Sequence, residues 1–188
     1  MIKLLDFGCG GGCLSFAISD RFPDVSVTGV DIDDAVLVEP KRKVRKTSAK
    51  NLTFLTQTSE HLNESLIETF DIIIMNDVMH DLPDPVSILK QLKNILKPEG
   101  YLVTFDPDLH SNHRDNAGDI KVASRYLTSL FVCLPRSLSR EPAAGLGMGW
   151  GYEKKIQFLE DQGFSVVNID KDDKNDIPRE MVVVKIRS

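Results

Sequence analysis

A run of glycines behind a short apolar segment, Leu4-Leu5-Asp6-Phe7-Gly8-Cys9-Gly10-Gly11-Gly12, is the part of this sequence best suited to hold a ligand. Glycines let a backbone turn sharply and approach a bound molecule with no Cβ in the way. Between a strand and a helix of a parallel sheet, such a turn is where nucleotide-like ligands bind, at the carboxyl ends of the strands. The glycines at 8, 10 and 12 are followed by Cys13, whereas a nicotinamide-dinucleotide fingerprint needs glycine or alanine there for close helix packing. Asp31 lies about 20 residues beyond the glycines, where a carboxylate can accept both hydroxyls of a ribose. Asp6 places a negative charge two residues before Gly8. Beside a pyrophosphate that charge is unfavourable, and beside a ligand carrying an ammonium and a sulfonium it is tolerated.

Further reactive residues follow the apolar segment 70–75: Asn76, Asp77, His80 and Asp81. A histidine at such a strand end can take a proton from a nucleophile. It can equally cap the next helix or hydrogen-bond the loop, and Asp77 is open to the same two readings. His110 and His113 lie in an irregular stretch that a substrate could enter. Cys9 and Cys13 have no second pair, and His61 and His80 belong to other elements, so no metal site is expected. Gly145-Leu146-Gly147-Met148-Gly149-Trp150-Gly151 alternates glycines with apolar anchors. It is either a loop capping the next helix or a mobile lid over an apolar substrate. The basic residues of 41–46 form a solvated helix face.

Strand and helix patterns alternate to position these residues. Strands are predicted at 2–6, 25–31, 51–56, 70–75, 101–105, 164–169 and 181–186. Residues 70–75, Phe-Asp-Ile-Ile-Ile-Met, are apolar on both faces, as a central parallel strand should be. Helices are predicted at 14–22, 33–48, 85–96, 120–131 and 151–162. Pro40 is expected to kink or split the second, and Lys97-Pro98-Glu99-Gly100 to close the third. Alternation of this kind implies a parallel sheet with helices on both faces. Residues 107–150 break the rhythm and are too long for a simple connection, so they form an insertion or a lid within a single domain of residues 1–188.

The composition bounds the function. The chain has 188 residues, 41% hydrophobic and 27% charged, which is a globular composition. Lys and Arg number 23 against 28 Asp and Glu, a net charge of −5, which disfavours nucleic-acid and membrane partners. Three cysteines are too few for a disulfide scaffold and fit a reducing compartment. No apolar run approaches the roughly 18 residues of a membrane span, and the N-terminus has no signal-peptide pattern. A cytoplasmic protein is expected.

On Asp6-Phe7-Gly8-Cys9-Gly10-Gly11-Gly12, Asp31, the strand Asp71-Ile72-Ile73-Ile74-Met75-Asn76 with Asp77-Val78-Met79-His80-Asp81-Leu82 after it, and Leu92-Lys93-Asn94-Ile95-Leu96-Lys97-Pro98-Glu99-Gly100, the chain resembles the class I S-adenosylmethionine-dependent methyltransferases. The resemblance implies a Rossmann-like α/β fold, with a seven-stranded, mostly parallel sheet in the order 3-2-1-4-5-7-6 and an antiparallel last strand. It implies S-adenosyl-L-methionine as cofactor and methyl transfer to an unidentified acceptor, a small molecule before a protein side chain. Gly8, Gly10, Gly12 and the neighbouring amides would hold the methionine part, with Asp6 helping the ammonium indirectly. Asp31 would hold the ribose, Ile32 would pack on the adenine with Thr58 and Ser59 at its edge, and Asn76 would line the methyl side. His80 and Asp77 are the candidate catalytic residues, and no metal is needed in principle. The family usually has an Asp where Thr58 stands and a helical segment before the first strand, so a leading segment is expected to be missing and the methyl side to be open. Two other classes stay open: a non-catalytic binding protein of this fold, and a nicotinamide-dependent oxidoreductase. The sequence leaves the oligomeric state open.

Overall fold

The computed structural model describes residues 1–47, 49–57, 67–172 and 178–187. The strands hydrogen-bond in the order β3-β2-β1-β4-β5-β7-β6, the order the resemblance implies. Contacts divide the chain into two compact units, residues 1–76 with 90–103, and residues 77–89 with 104–188.

In the first unit, β1 (Ile2–Phe7) pairs in parallel with β2 (Val25–Asp31) and with β4 (Phe70–Asn76), and β2 pairs with β3 (Leu52–Thr56). Leu4 stands between Val27 and Ile72, so apolar residues flank the central strand on both sides. Helix α1 (Cys13–Arg21) opens directly behind the glycine turn. Helix α2 (Asp34–Thr47) runs unbroken through Pro40, contrary to the expected kink or split. Pro40 is its seventh residue, so the missing N–H removes one intrahelical bond, to the Val36 carbonyl, near the open end of the helix. Helix α3 (Pro85–Ile95) passes straight into β5 (Leu96–Pro107) with no turn at 97–100. The amides of Glu68 and Thr69 take the last carbonyls of α3, Asn94 and Ile95, so the helix end needs no capping turn.

In the second unit, β6 (Phe164–Asp172) and β7 (Arg179–Ile186) form an antiparallel pair with a register irregularity between Val166 and Asn168. Helix α6 (Tyr152–Asp161) precedes it, and Leu159, Phe164, Val182 and Val184 are fully buried. The helix expected at 120–131 is remodelled. Helix α4 (Ile120–Thr128) gives way to a π-helical turn, Ser129–Cys133, and then to α5 (Leu134–Ser137). This segment buries Ser129, Cys133 and Ser137 while exposing Leu127, Leu130 and Phe131, so its small residues face inward.

The glycine run explains that inversion. A Cβ on Gly147 would lie 2.6 Å from Ser129 Oγ, and one on Gly149 would lie 2.8 Å from the Tyr126 ring. At Gly151, with φ +80°, it would lie 2.3 Å from the Ser111 backbone nitrogen. These glycines therefore permit close approach to their neighbours. Gly147 N–H donates to the His80 carbonyl at 3.0 Å and Tyr152 N–H to the Leu109 carbonyl at 2.9 Å. Both amides are expected to exchange slowly with deuterium, whereas α4, which buries no residue, should exchange faster. Rapid exchange at Gly147 and Tyr152 would restore the mobile run.

Candidate functional site

The turn after β1 is set by its own hydrogen bonds. The N–H groups of Gly8 and Cys9 both donate to the Val30 carbonyl, at 2.8 and 3.0 Å, and Gly12 N–H donates to Cys9 O at 2.9 Å. Gly10 N–H donates to Asp31 Oδ2 at 2.8 Å, while Asp31 Oδ1 accepts from Asp33 N–H at 3.0 Å. Two amides thus fix the Asp31 carboxylate, and its remaining lone pairs can accept further hydrogen bonds. The Gly8 and Gly10 amides, expected to hold a ligand's methionine part, here donate within the turn and to Asp31.

A Cβ on Gly10 or Gly11 would meet nothing within 4 Å, so this surface of the turn is bare backbone. Gly12 is different. Its φ is +74°, and a Cβ there would lie 2.6 Å from the Phe54 ring, so it serves packing against β3 instead of lining the open surface. Asp6 is buried, and Ser15 Oγ donates to its Oδ2 at 2.5 Å, which ties β1 to α1. Burial pushes the Asp6 carboxyl above its ordinary range, against the pull of the Ser15 hydroxyl and amide. The Cys9 thiol is pushed up to about 12, by burial first and then by the charges of Asp6 and Asp31. The smaller contributions of Asp6 and Asp31 place two carboxyl groups beside the turn, an arrangement that favours a positively charged ligand group. Ile32, 58% exposed, presents an apolar side chain just past β2. Asn76 ends β4 half-buried. Thr58 and Ser59 lie outside the described residues.

The second unit holds a chain of buried charges. His80 Nδ1 lies 2.7 Å from Asp106 Oδ1, and Lys155 Nζ lies 3.0 Å from Asp106 Oδ2 and pairs with Glu180. His80, Asp106, Lys155 and Glu180 are all buried, His80 with 1% of its surface exposed. Burial pushes the His80 imidazole down, but Asp106 with Asp81 and Asp77 pushes it up and prevails. Asp77 stands apart in conformation. Its φ is +56°, unusual for a residue with a side chain, and its carboxylate pairs with Arg179 at 2.7 Å. Its side chain is 41% exposed, yet the groups packed round it thin its hydration enough to raise its pKa, over the opposing pull of Arg179.

His110 Nδ1 lies 2.8 Å from Glu153 Oε1, and Ser111 N–H donates to Glu153 Oε2 at 2.7 Å. Partial burial works against the Glu153 charge, but these two partners outweigh it and lower the pKa from 4.5 to about 2. A depressed carboxylate pKa adds stability that is present above pH 4.5 and is lost as pH falls toward about 2. Glu153→Gln is therefore expected to flatten the acid limb of thermal stability in that window. The effect is modest because both side chains are nearly half exposed. An unchanged acid limb would show that the pairing contributes nothing in solution.

Sequence reasoning missed Asp106, Lys155 and Glu180. A signal existed for two of them. Lys155 falls on the buried face of α6, four residues before Leu159, and Glu180 alternates with the buried Val182 and Val184 of β7. Charges at such positions are retained only when paired.

A family model described as a methyltransferase domain matches residues 1–157. A ubiquinone biosynthesis O-methyltransferase of Pseudomonas fluorescens is 35% identical over 98 residues, 52% of this chain and 41% of that relative. The chain thus spans less than half the length of this curated relative. A SAM-dependent methyltransferase from Aquifex aeolicus superposes with a TM-score of 0.70 at 22% identity, covering 98% of this chain and 82% of that one. The [4+2]-cyclase SpnF superposes with a TM-score of 0.74 at 14% identity, covering 99% of this chain and 74% of that one. At these identities the likeness to solved structures is one of fold, which by itself sets no reaction.

Proposed function

The chain belongs to the class I S-adenosylmethionine-dependent methyltransferases, and from that premise we propose that it transfers a methyl group to an oxygen of a small molecule. The turn after β1 supports the cofactor reading over a dinucleotide. A pyrophosphate needs N–H donors, and those of Gly8, Cys9, Gly10 and Gly12 are engaged within the turn. An ammonium needs acceptors and a negative field, which the turn's carbonyls with Asp6 and Asp31 supply. Asp31 would accept the ribose hydroxyls, the bare surface at Gly10 and Gly11 would admit the methionine part, and Ile32 would pack on the adenine. S-adenosylmethionine bound there supplies a methyl group activated by its sulfonium.

The proton of the acceptor hydroxyl must leave as the methyl arrives. We assign it to Asp77, whose raised pKa makes it a stronger base than an ordinary carboxylate and whose Arg179 pairing fixes it. His80 is too enclosed to reach a substrate proton without moving, so its role is to position the loop through Asp106. The small-molecule acceptor and the oxygen target rest on the names of the relatives and on the acidic net charge. No helix of the described residues is long and apolar enough to cross a membrane, and the three cysteines are unpaired; we place the protein in the cytoplasm on that footing.

Calorimetry with S-adenosylhomocysteine and NAD in parallel tests the cofactor reading. Heat is expected from the first and none from the second. Tight NAD binding without a response to S-adenosylhomocysteine would sink it. Transfer of label from methyl-labelled S-adenosylmethionine to a panel of small phenols and enols then tests the acceptor class.

A further inference from the structure

Outside the methyl-transfer chemistry, three different metal-ligating groups converge in the second unit. His80 Nε2 faces Asp81 Oδ1 at 3.4 Å, and Cys133 Sγ lies with both, all three atoms within 4.8 Å of one another. His80 and Cys133 are buried. Asp81 Oδ1 is shut off from water, and what faces it is the His80 imidazole and the Cys133 thiol, whose proton the Asp81 carboxylate holds. The Cys133 thiol sits against a carboxylate, an unfavourable place for a thiolate without a cation.

We propose that His80, Asp81 and Cys133 form a binding site for a divalent transition-metal ion of the zinc type. Imidazole, carboxylate and thiolate together are a ligand set for zinc, which accepts three protein ligands and leaves a fourth position for water. Zinc–ligand bonds of about 2.0–2.3 Å put tetrahedral ligand atoms roughly 3.3–3.8 Å apart, so closure of about 1 Å completes the site. The surrounding residues already orient the ligands. Asp106 holds His80 Nδ1 at 2.7 Å, which directs Nε2 toward the site in the manner of a carboxylate–histidine–metal arrangement. Arg136 takes Asp81 Oδ2 at 3.0 Å and leaves Oδ1 for the ion. Cys133 is the last residue of the π-helical turn, a departure from α geometry that often marks functional positions. The ion would tie the loop after β4 to that turn. As the Cys133 sulfur–metal bond forms, the thiol proton leaves to buffer. The neighbouring group of Asp77, His80 and Asp106 needs no such ion, because Arg179 and Lys155 already neutralise its carboxylates.

Cobalt(II) is the probe, titrated into the full chain after treatment with a chelator. One ion per chain is expected, with tetrahedral visible bands, a near-ultraviolet sulfur-to-cobalt charge-transfer band, and release of the Cys133 thiol proton together with any proton that His80 Nε2 carries. Cys133→Ser should abolish the charge-transfer band, and the Cys9→Ser/Cys13→Ser double variant should keep it. If Cys133→Ser fails to fold, Asp81→Asn replaces it and should weaken binding at least tenfold, roughly the effect of losing even an outer-shell partner. Absence of stoichiometric cobalt would overturn the proposal and leave a proton on His80 as the occupant. A band that survives Cys133→Ser, or that binding in Asp81→Asn matches the parent, would overturn it equally.

Discussion

Lys155→Met is expected to destabilise the protein by about 3–5 kcal/mol, the usual cost of removing one partner from a buried ion pair. The ammonium is fully buried between Asp106 and Glu180. Without it, Asp106 keeps His80 among the described residues, and Glu180 is left enclosed with two carboxylates, Asp106 and Asp108, nearby. Burial already pushes the Glu180 carboxyl up, and Lys155 is the charge that opposes this. The loss should therefore appear as a lower urea midpoint with an unchanged slope. Adding Glu180→Met to Lys155→Met should recover part of the loss, because an apolar pair of similar volume leaves no unpaired charge there. A loss below about 1 kcal/mol would mean that water or a rearranged partner satisfies the two carboxylates, and would overturn the expectation.

Asp31→Ala is expected to weaken S-adenosylhomocysteine binding by about 1.5–3 kcal/mol, the range for hydrogen bonds to a charged group, or roughly 10- to 150-fold in affinity. The carboxylate sits at the end of β2, where its loss opens no core cavity, so the fold should survive. It also fixes the Gly10 and Asp33 amides, so part of the effect comes through a looser turn. Asp31→Asn separates the two contributions. Its carbonyl oxygen can still take one amide, while the charge that strengthens the ribose hydrogen bonds is gone. Calorimetry on both variants, with far-ultraviolet circular dichroism to verify folding, decides the matter. Unchanged affinity in a folded Asp31→Ala protein would remove Asp31 from the cofactor site.

The parallel sheet was legible in the residues because its signals are local. The apolar run at 70–75 reads as a strand buried on both faces, and the glycines behind β1 mark a strand-to-helix turn. The match of Asp31 to the glycine turn was legible too, since one βα unit fixes their separation, and the Gly10–Asp31 hydrogen bond bears it out. Which glycine does what was not legible. Gly10 and Gly11 are bare while Gly12 packs on Phe54, and that difference depends on where β3 lies, some 40 residues downstream. The close approaches at Gly147, Gly149 and Gly151 were not legible for the same reason: their packing partners, Ser129, Tyr126 and Ser111, are remote in sequence. The pairing of His80 with Asp106, and of Lys155 with Glu180, is likewise a product of strand order. Residue type and local periodicity thus determined the strands, the turn and the placement of Asp31 beside it. Only the tertiary structure decided which charges are shut away from water, because burial depends on neighbours that are distant along the chain.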